Sequence, residues 1–302
     1  MRTYVKLIRP AEWVKNVFVL AGLVFSARAT DPAAMLLTGL AFAAFCLAAS
    51  TTYVINDIRD REHDKLHPSK RNRPIARGDV SVRQAGGAAV VLAIGAVVLC
   101  FLLPRGFSAV LLSYVLVNVL YTYWLKRKVI MDVILIAVGF VLRAIGGGVA
   151  IGMPISPWLI VCTFTLCMFL GFGKRRCELA VIGNTAEAVK HRASLARYSH
   201  DLLNHLTSVT AGIAIVTFLL YVMDRSGHQP PFDKRYLVYT LPLVVYAIFR
   251  YTMLIESGRV TGPTDVVIND RPFLITLILW AISAVVVVYW GGVFHRWVGV
   301  GH

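Results

Sequence analysis

Apolar stretches of about 18–22 residues recur along the whole chain, and that is the length a helix needs to cross a bilayer. MLLTGLAFAAFCLAASTTYVI and FLITLILWAISAVVVVYWGG are two of them. Inside hydrocarbon no water can satisfy a backbone N–H or C=O, so each such stretch must bond within itself as a helix. A water-soluble domain of 302 residues has no use for 57% hydrophobic content, and that class is excluded. The expectation is one all-α integral membrane domain over 1–302. Nine spans are expected, over roughly 15–30, 33–57, 84–103, 106–125, 129–152, 155–173, 205–223, 236–255 and 273–294. Arg28, Asp31 and Pro32 shorten the first. MRTYVKLIRPAEWVKN lacks an apolar core with a small-residue cleavage site, so no removable signal peptide is read there.

Nine spans place the two termini on opposite sides and sort the charges. The N-terminal segment and the loops 57–83, 126–128, 174–204 and 256–271 share one side, with 23 of the 31 Lys and Arg. The other side has 6, and Arg143 and Arg250 fall within spans. This bias puts the N-terminus and the polar loops in the cytoplasm, in a multi-pass protein of the inner (plasma) membrane. The net charge of +15 therefore marks a membrane face and gives no nucleic-acid partner. The five cysteines form no CxxC pair, and four lie in apolar runs, as small core residues do.

The second span ends in VINDIRDREHD. Carboxylates are rarely left at membrane depth without a use. If the helix runs on past Tyr53, Asp57, Asp60 and Asp64 share one face, with Asn56 beside them, while Arg59 and Arg61 point elsewhere. Stacked carboxylates repel unless a cation neutralises them. Mg²⁺ suits them, with Mn²⁺ as a substitute, because it takes oxygen ligands and is shared with substrate phosphates. Zinc is disfavoured, since no Cys is near and His63 and His67 lie off the face. The bland alternative is a solvated helix end whose acids pair with Arg59, Arg61 and Lys65. The basic run KRNRP just beyond speaks for a phosphate partner instead.

N-D-x-x-D-x-x-x-D at the end of the second span, followed by a Lys/Arg-rich loop, resembles the UbiA superfamily of intramembrane prenyltransferases. The resemblance implies a helical bundle around a central cavity, with magnesium-diphosphate at its cytoplasmic mouth held by Asp57, Asp60 and Asp64. Members that move a prenyl group carry a second aspartate-rich motif after helix six. This chain has GFGKRRCELAVIGNTAEAV there, where Glu178 and Glu187 are the only acids and Lys174–Arg176 stand in the acids' place. Guanidinium groups clamp phosphate bidentately, so a more phosphate-rich substrate pair is expected. RPAEWVKN and KRRCE resemble the decaprenyl-phosphate phosphoribosyltransferase branch. That branch implies transfer of 5-phosphoribose from phosphoribosyl diphosphate to a polyprenyl phosphate, for cell-wall arabinan precursors. The alternative is a polyprenyltransferase acting on an aromatic or haem-precursor acceptor.

Further candidates follow the same logic. Lys70 and Arg73 come next after the acids, and Arg73 is the stronger, because the following proline fixes the chain. Lys174 and Arg175 are the donor-phosphate cations, with Glu178 beside them. Tyr123 and Lys126 match a Tyr and Lys that the superfamily often places here. Lys15 and Asn16 open the first span near the mouth. Arg143, inside a span, faces the substrate or a structural partner. Gly146–Gly148 permit close helix packing, and a small-residue surface also allows a homo-oligomer. Asp265 and Asp270 hold a second metal or, more simply, cap the last span. A transporter is the rival outside enzymology, but its mark is polar residues at mid-membrane on several helices, and here they gather at one face.

Overall fold

The structure is a computed structural model and describes residues 2–65, 70–182, 195–224, 234–258 and 260–297. Among the described residues all regular structure is helical. Eight helices are long and apolar enough to cross a membrane. They are α1 (Pro32–Arg59), α2 (Val82–Phe101), α3 (Arg105–Tyr123), α4 (Met131–Ala150), α5 (Pro157–Ile182), α6 (His200–Met223), α7 (Leu241–Glu256, after a 3₁₀ segment Lys234–Thr240) and α8 (Arg271–Trp297). Their ends are chemically marked. Asp31 accepts from the Ala33 N–H, and Pro32 opens α1. Ser81 and Gln84 form a reciprocal capping box at α2.

The expected first span takes another form. Pro10–Leu20 is a 3₁₀ helix, and Ala21–Phe25 continues as α-helix. It starts earlier than expected because Pro10 fixes its first turn. A 3₁₀ helix rises about 2.0 Å per residue, so the two pieces together reach about 30 Å, the thickness of the hydrocarbon core. Nine crossings therefore remain compatible with eight long helices.

The chain forms two compact units. The first holds the segment up to Leu23 with 28–125 and 139–154. Alanines at 41, 44, 48 and 49 of α1 are buried, and Phe45 meets Phe107 and Tyr114 edge-on at 5.7 and 5.3 Å. A Cβ on Gly147 would lie 1.8 Å from the Val19 carbonyl oxygen, so only glycine permits this approach. The glycines of α4 thus serve packing within the chain. On α2, Val90, Val91, Ile94, Val97 and Phe101 are exposed, as a lipid-facing surface requires.

The second unit holds 24–27, 126–138 and the chain from Ile155 on. Here α5 packs along α6, and Phe169 meets Tyr251 at 5.2 Å. Glu187, His67 and most of the loop 174–204 beyond Ile182 lie outside the described residues.

Candidate functional site

The acidic motif is built as its spacing requires. The helical ladder passes through the motif, with the Asp60 N–H on the Asn56 carbonyl and the Asp64 N–H on the Asp60 carbonyl. Asp60 occupies the turn between α1 and the short helix Arg61–Lys65. Asp57 and Asp64 are buried, at 2% and 4% exposure, so both carboxylates need cations. Arg59 and Arg61 do point elsewhere. Arg59 donates to the Thr122 and Tyr123 carbonyls and stacks over the Tyr123 ring at 4.1 Å. Lys65 and Arg61 bind Glu62 and hold its carboxyl below the usual range.

Two other arginines serve the acids. Arg73 Nη1 donates to Asp57 Oδ1 at 3.0 Å and to Asp64 Oδ2 at 2.6 Å. Its backbone is extended, as a residue before proline should be, and it starts the short helix Pro74–Arg77. Lys70 accepts the Arg73 N–H on its carbonyl. Arg9 Nη2 donates to both oxygens of Asp57 at 2.7 Å. Arg9 escaped the sequence reading because 48 residues separate it from Asp57. Its local signals are the dipeptide Arg-Pro, which Arg73 shares, and its place at the head of RPAEWVKN.

These acids fit a divalent cation. A single nitrogen, Arg73 Nη1, touches both Asp57 and Asp64, so one cation placed there could do the same. Mg²⁺ commonly uses one or two carboxylates and completes its shell with water and substrate phosphate. Among the described residues no group of three or more acids, His or Cys is already gathered around a cation position.

Deeper in the first unit, Asn16 is fully buried and accepts from Arg143 Nε at 2.7 Å. Arg143 Nη2 donates to the Tyr114 hydroxyl at 2.8 Å, and Nη1 to the Gly139 carbonyl at 2.9 Å. The buried guanidinium is thus held by neutral oxygens and by the Tyr114 ring, 4.6 Å away. Lys15 pairs with Glu12, which also accepts from the Tyr53 hydroxyl at 3.5 Å.

In the second unit the KRRCE segment is the last part of α5. Lys174 is half exposed, 4.0 Å from Glu178. Arg175 is buried, at 2% exposure. Its Nε lies 3.1 Å from Asp132 Oδ2, and its Nη1 binds Glu178. Tyr198 donates to Asp132 at 2.8 Å and accepts the Ile130 N–H at 2.7 Å. Burial and the Asp132 charge push the Tyr198 hydroxyl well above its ordinary range. Arg176 reaches Asn204 and the Ile255 carbonyl. Lys126 lies in a short 3₁₀ turn, Leu125–Arg127. Of the last two acids, Asp270 caps α8 and Asp265 lies in the short helix Pro263–Asn269 before it. Asp265 accepts the Thr261 N–H at 2.7 Å, and Asp270 accepts the Phe273 N–H at 2.9 Å while pairing with Arg250.

An all-helical, multi-pass architecture with buried, cation-bridged carboxylates ending a span defines an intramembrane enzyme. The chain belongs to the UbiA prenyltransferase family, which it matches over residues 16–260. It is 33% identical over 288 residues to the decaprenyl-phosphate phosphoribosyltransferase of Mycolicibacterium smegmatis, covering 91% of this chain and 89% of that protein. To the enzyme of the same name from Corynebacterium glutamicum it is 33% identical over 289 residues, covering 94% and 86%. The fold resembles a UbiA homolog from Archaeoglobus fulgidus solved with GPP and Mg²⁺, with a TM-score of 0.71 at 17% identity, covering 94% of this chain and 99% of that one.

Proposed function

We propose that the protein transfers 5-phosphoribose from 5-phosphoribosyl-1-diphosphate to a polyprenyl phosphate, decaprenyl phosphate by the name of its relatives, and releases diphosphate. The observation that carries this reading is the meeting of Asp57 and Asp64 on one cation position, beside two arginines. Its support is the likeness, over nine-tenths of the chain, to decaprenyl-phosphate phosphoribosyltransferases.

Asp57, Asp60 and Asp64 hold the divalent cation, with Asn56 beside them. When bound, such a cation would supply charge neutralisation for the departing diphosphate. The C1–O bond to diphosphate breaks through an oxocarbenium-like transition state, and a C1–O bond to the lipid phosphate forms. Arg73, Lys70 and Lys174 stabilise the phosphate charges. Lys15, Lys126 and Tyr123 contribute further contacts at the polar mouth. Arg175 acts through position, with Glu178 and Asp132 taking its charge. Asn16 and Arg143 act likewise, fixing the first segment on α4. The acceptor phosphate is already anionic at neutral pH, so it needs alignment rather than a strong base. We place this chemistry, and the N-terminus, on the cytoplasmic side, following the Lys/Arg bias.

The test incubates membranes containing the protein with labelled phosphoribosyl diphosphate and a polyprenyl phosphate. Label should appear in the lipid fraction and require Mg²⁺ or Mn²⁺. Transfer of a prenyl group from a prenyl diphosphate to an aromatic acceptor, without phosphoribosyl diphosphate, would overturn this in favour of the prenyltransferase alternative.

A further inference from the structure

Two acids of the motif, Asp57 and Asp64, are already paired, with Arg9 and Arg73. A divalent cation must displace these guanidinium groups to reach Asp57 and Asp64. Asp57 and Asp64 thus face two guanidiniums, which balance these two carboxylates as they stand. Replacing the arginines with a cation alone would leave both guanidiniums near the new charge and without their anions. Arg9 lies only 22% exposed and Arg73 23%, so water screens them incompletely. A diphosphate removes the difficulty, because its oxygens match guanidinium geometry.

We propose that Arg9 and Arg73 are resident counter-cations of the acids, that they transfer to the donor's diphosphate, and that cation and diphosphate therefore bind as a coupled pair. This rests on the metal-diphosphate reading above and adds Arg9 to it as a donor-binding residue.

The backbone at Arg9 supports a moving part. Arg9 is left-handed, at φ 52° and ψ 63°, directly before Pro10. Residues before proline favour extended conformations, and a left-handed non-glycine residue is strained. The residue joins the helix Arg2–Ile8 to the 3₁₀ helix Pro10–Leu20. Its grip on Asp57 holds this joint, together with the Tyr53 ring 5.4 Å from its guanidinium. Release of Asp57 lets the joint relax and the side chain swing. Arg73 has no such strain and changes partner by side-chain rotation alone.

The experiment measures Mn²⁺ binding to the purified protein in detergent by electron paramagnetic resonance. It is run with and without inorganic diphosphate, and corrected for the manganese–diphosphate complex in solution. Diphosphate should tighten Mn²⁺ binding to the wild-type protein at least about 5-fold, as a coupling of ordinary size does. Arg9→Gln should bind Mn²⁺ more tightly than wild type without diphosphate, and should lose most of the enhancement. Arg9→Lys should restore part of it. Thermal unfolding of each variant checks folding, and the wild-type comparison needs no variant at all. Equal Mn²⁺ affinity with and without diphosphate in wild type overturns the coupling and leaves the reaction standing. So does an Arg9→Gln protein that is folded and indistinguishable from wild type. Wild-type protein that binds no Mn²⁺ under either condition removes the metal assignment, and the proposed reaction with it.

Discussion

Burial distinguishes Arg175, paired with Asp132 and proposed to act through position, from half-exposed Lys174, proposed to bind the donor. Asp132 is fully buried, and Arg175 is 2% exposed. At 3.1 Å, with an effective dielectric constant of about 20, their attraction is about 5 kcal/mol before desolvation. Arg175→Met removes this cation from Asp132 and keeps the Tyr198 hydroxyl bond. Removing one partner of a buried pair typically costs about 3–5 kcal/mol, whereas replacing both with neutral groups is often near neutral. Asp132→Asn should cost less, because Arg175 keeps Glu178 as an anion. The double variant Asp132→Asn/Arg175→Met should recover most of the loss, with an interaction energy of about 2–3 kcal/mol. The assay is unfolding in a fixed detergent by SDS titration, with near-ultraviolet circular dichroism as the probe. The same samples are tested for stabilisation by phosphoribosyl diphosphate. The folded double variant should keep that stabilisation, and Lys174→Ala should weaken it. An Arg175→Met protein within about 1 kcal/mol of wild type, or a double variant no better than the singles, refutes the reasoning.

Asp57→Ala and Asp60→Ala should each lower label transfer at least about 100-fold, the usual effect of losing a main charge stabiliser, and chelator should abolish it; near-normal turnover in either folded variant counts against the metal site. Gly147→Ala forces a Cβ to 1.8 Å from the Val19 oxygen, so it should destabilise by about 1–3 kcal/mol in thermal unfolding, and an unchanged melting temperature would contradict the packing. Arg250 and the Phe273 N–H hold the Asp270 carboxyl below its ordinary range. A depressed carboxyl stabilises the fold above its unfolded pKa of about 4, and this is lost as pH falls through the lower folded value. Asp270→Asn keeps the cap but loses the charge paired with Arg250, so it should cost up to about 1 kcal/mol at neutral pH, and the gap from wild type should close in acid; a gap constant with pH would show the carboxylate charge to be idle.

Where length and local spacing carry the information, the sequence is transparent. Eight spans follow from apolar length, and the ladder through Asn56, Asp60 and Asp64 follows from a four-residue spacing that any helix keeps. The first segment is harder, because a 3.6-residue period does not describe a 3₁₀ helix. Arg9 and Asp57 are far apart in the chain, and no local rule links them. The dipeptide Arg-Pro marks both acid-binding arginines, yet Arg271-Pro272 is a third copy, so it cannot select them. Charge counting treats Lys174, Arg175 and Arg176 as equals. Burial divides them, since Arg175 meets an aspartate 43 residues earlier while Lys174 stays half exposed.

The winding of the first segment has a mechanical consequence. With three residues per turn, Trp13, Asn16 and Val19 form one straight row, and Gly22 follows in the α-helical continuation. Each has its own seat: Ser50 for Trp13, Arg143 for Asn16, the Gly147 backbone for Val19 and the Gly148 backbone for Gly22. A 3₁₀ helix turns about 120° per residue and an α-helix about 100°. Rewinding to α would swing each member of the row about 60° past the one before, and Val19 would finish about 120° away from Trp13. No seat could be kept without breaking the others. The segment therefore behaves as a keyed shaft, fixed at several depths against rotation. Its outer end is Pro10, so Arg9 turns at a bearing whose angle is set deep in the bilayer.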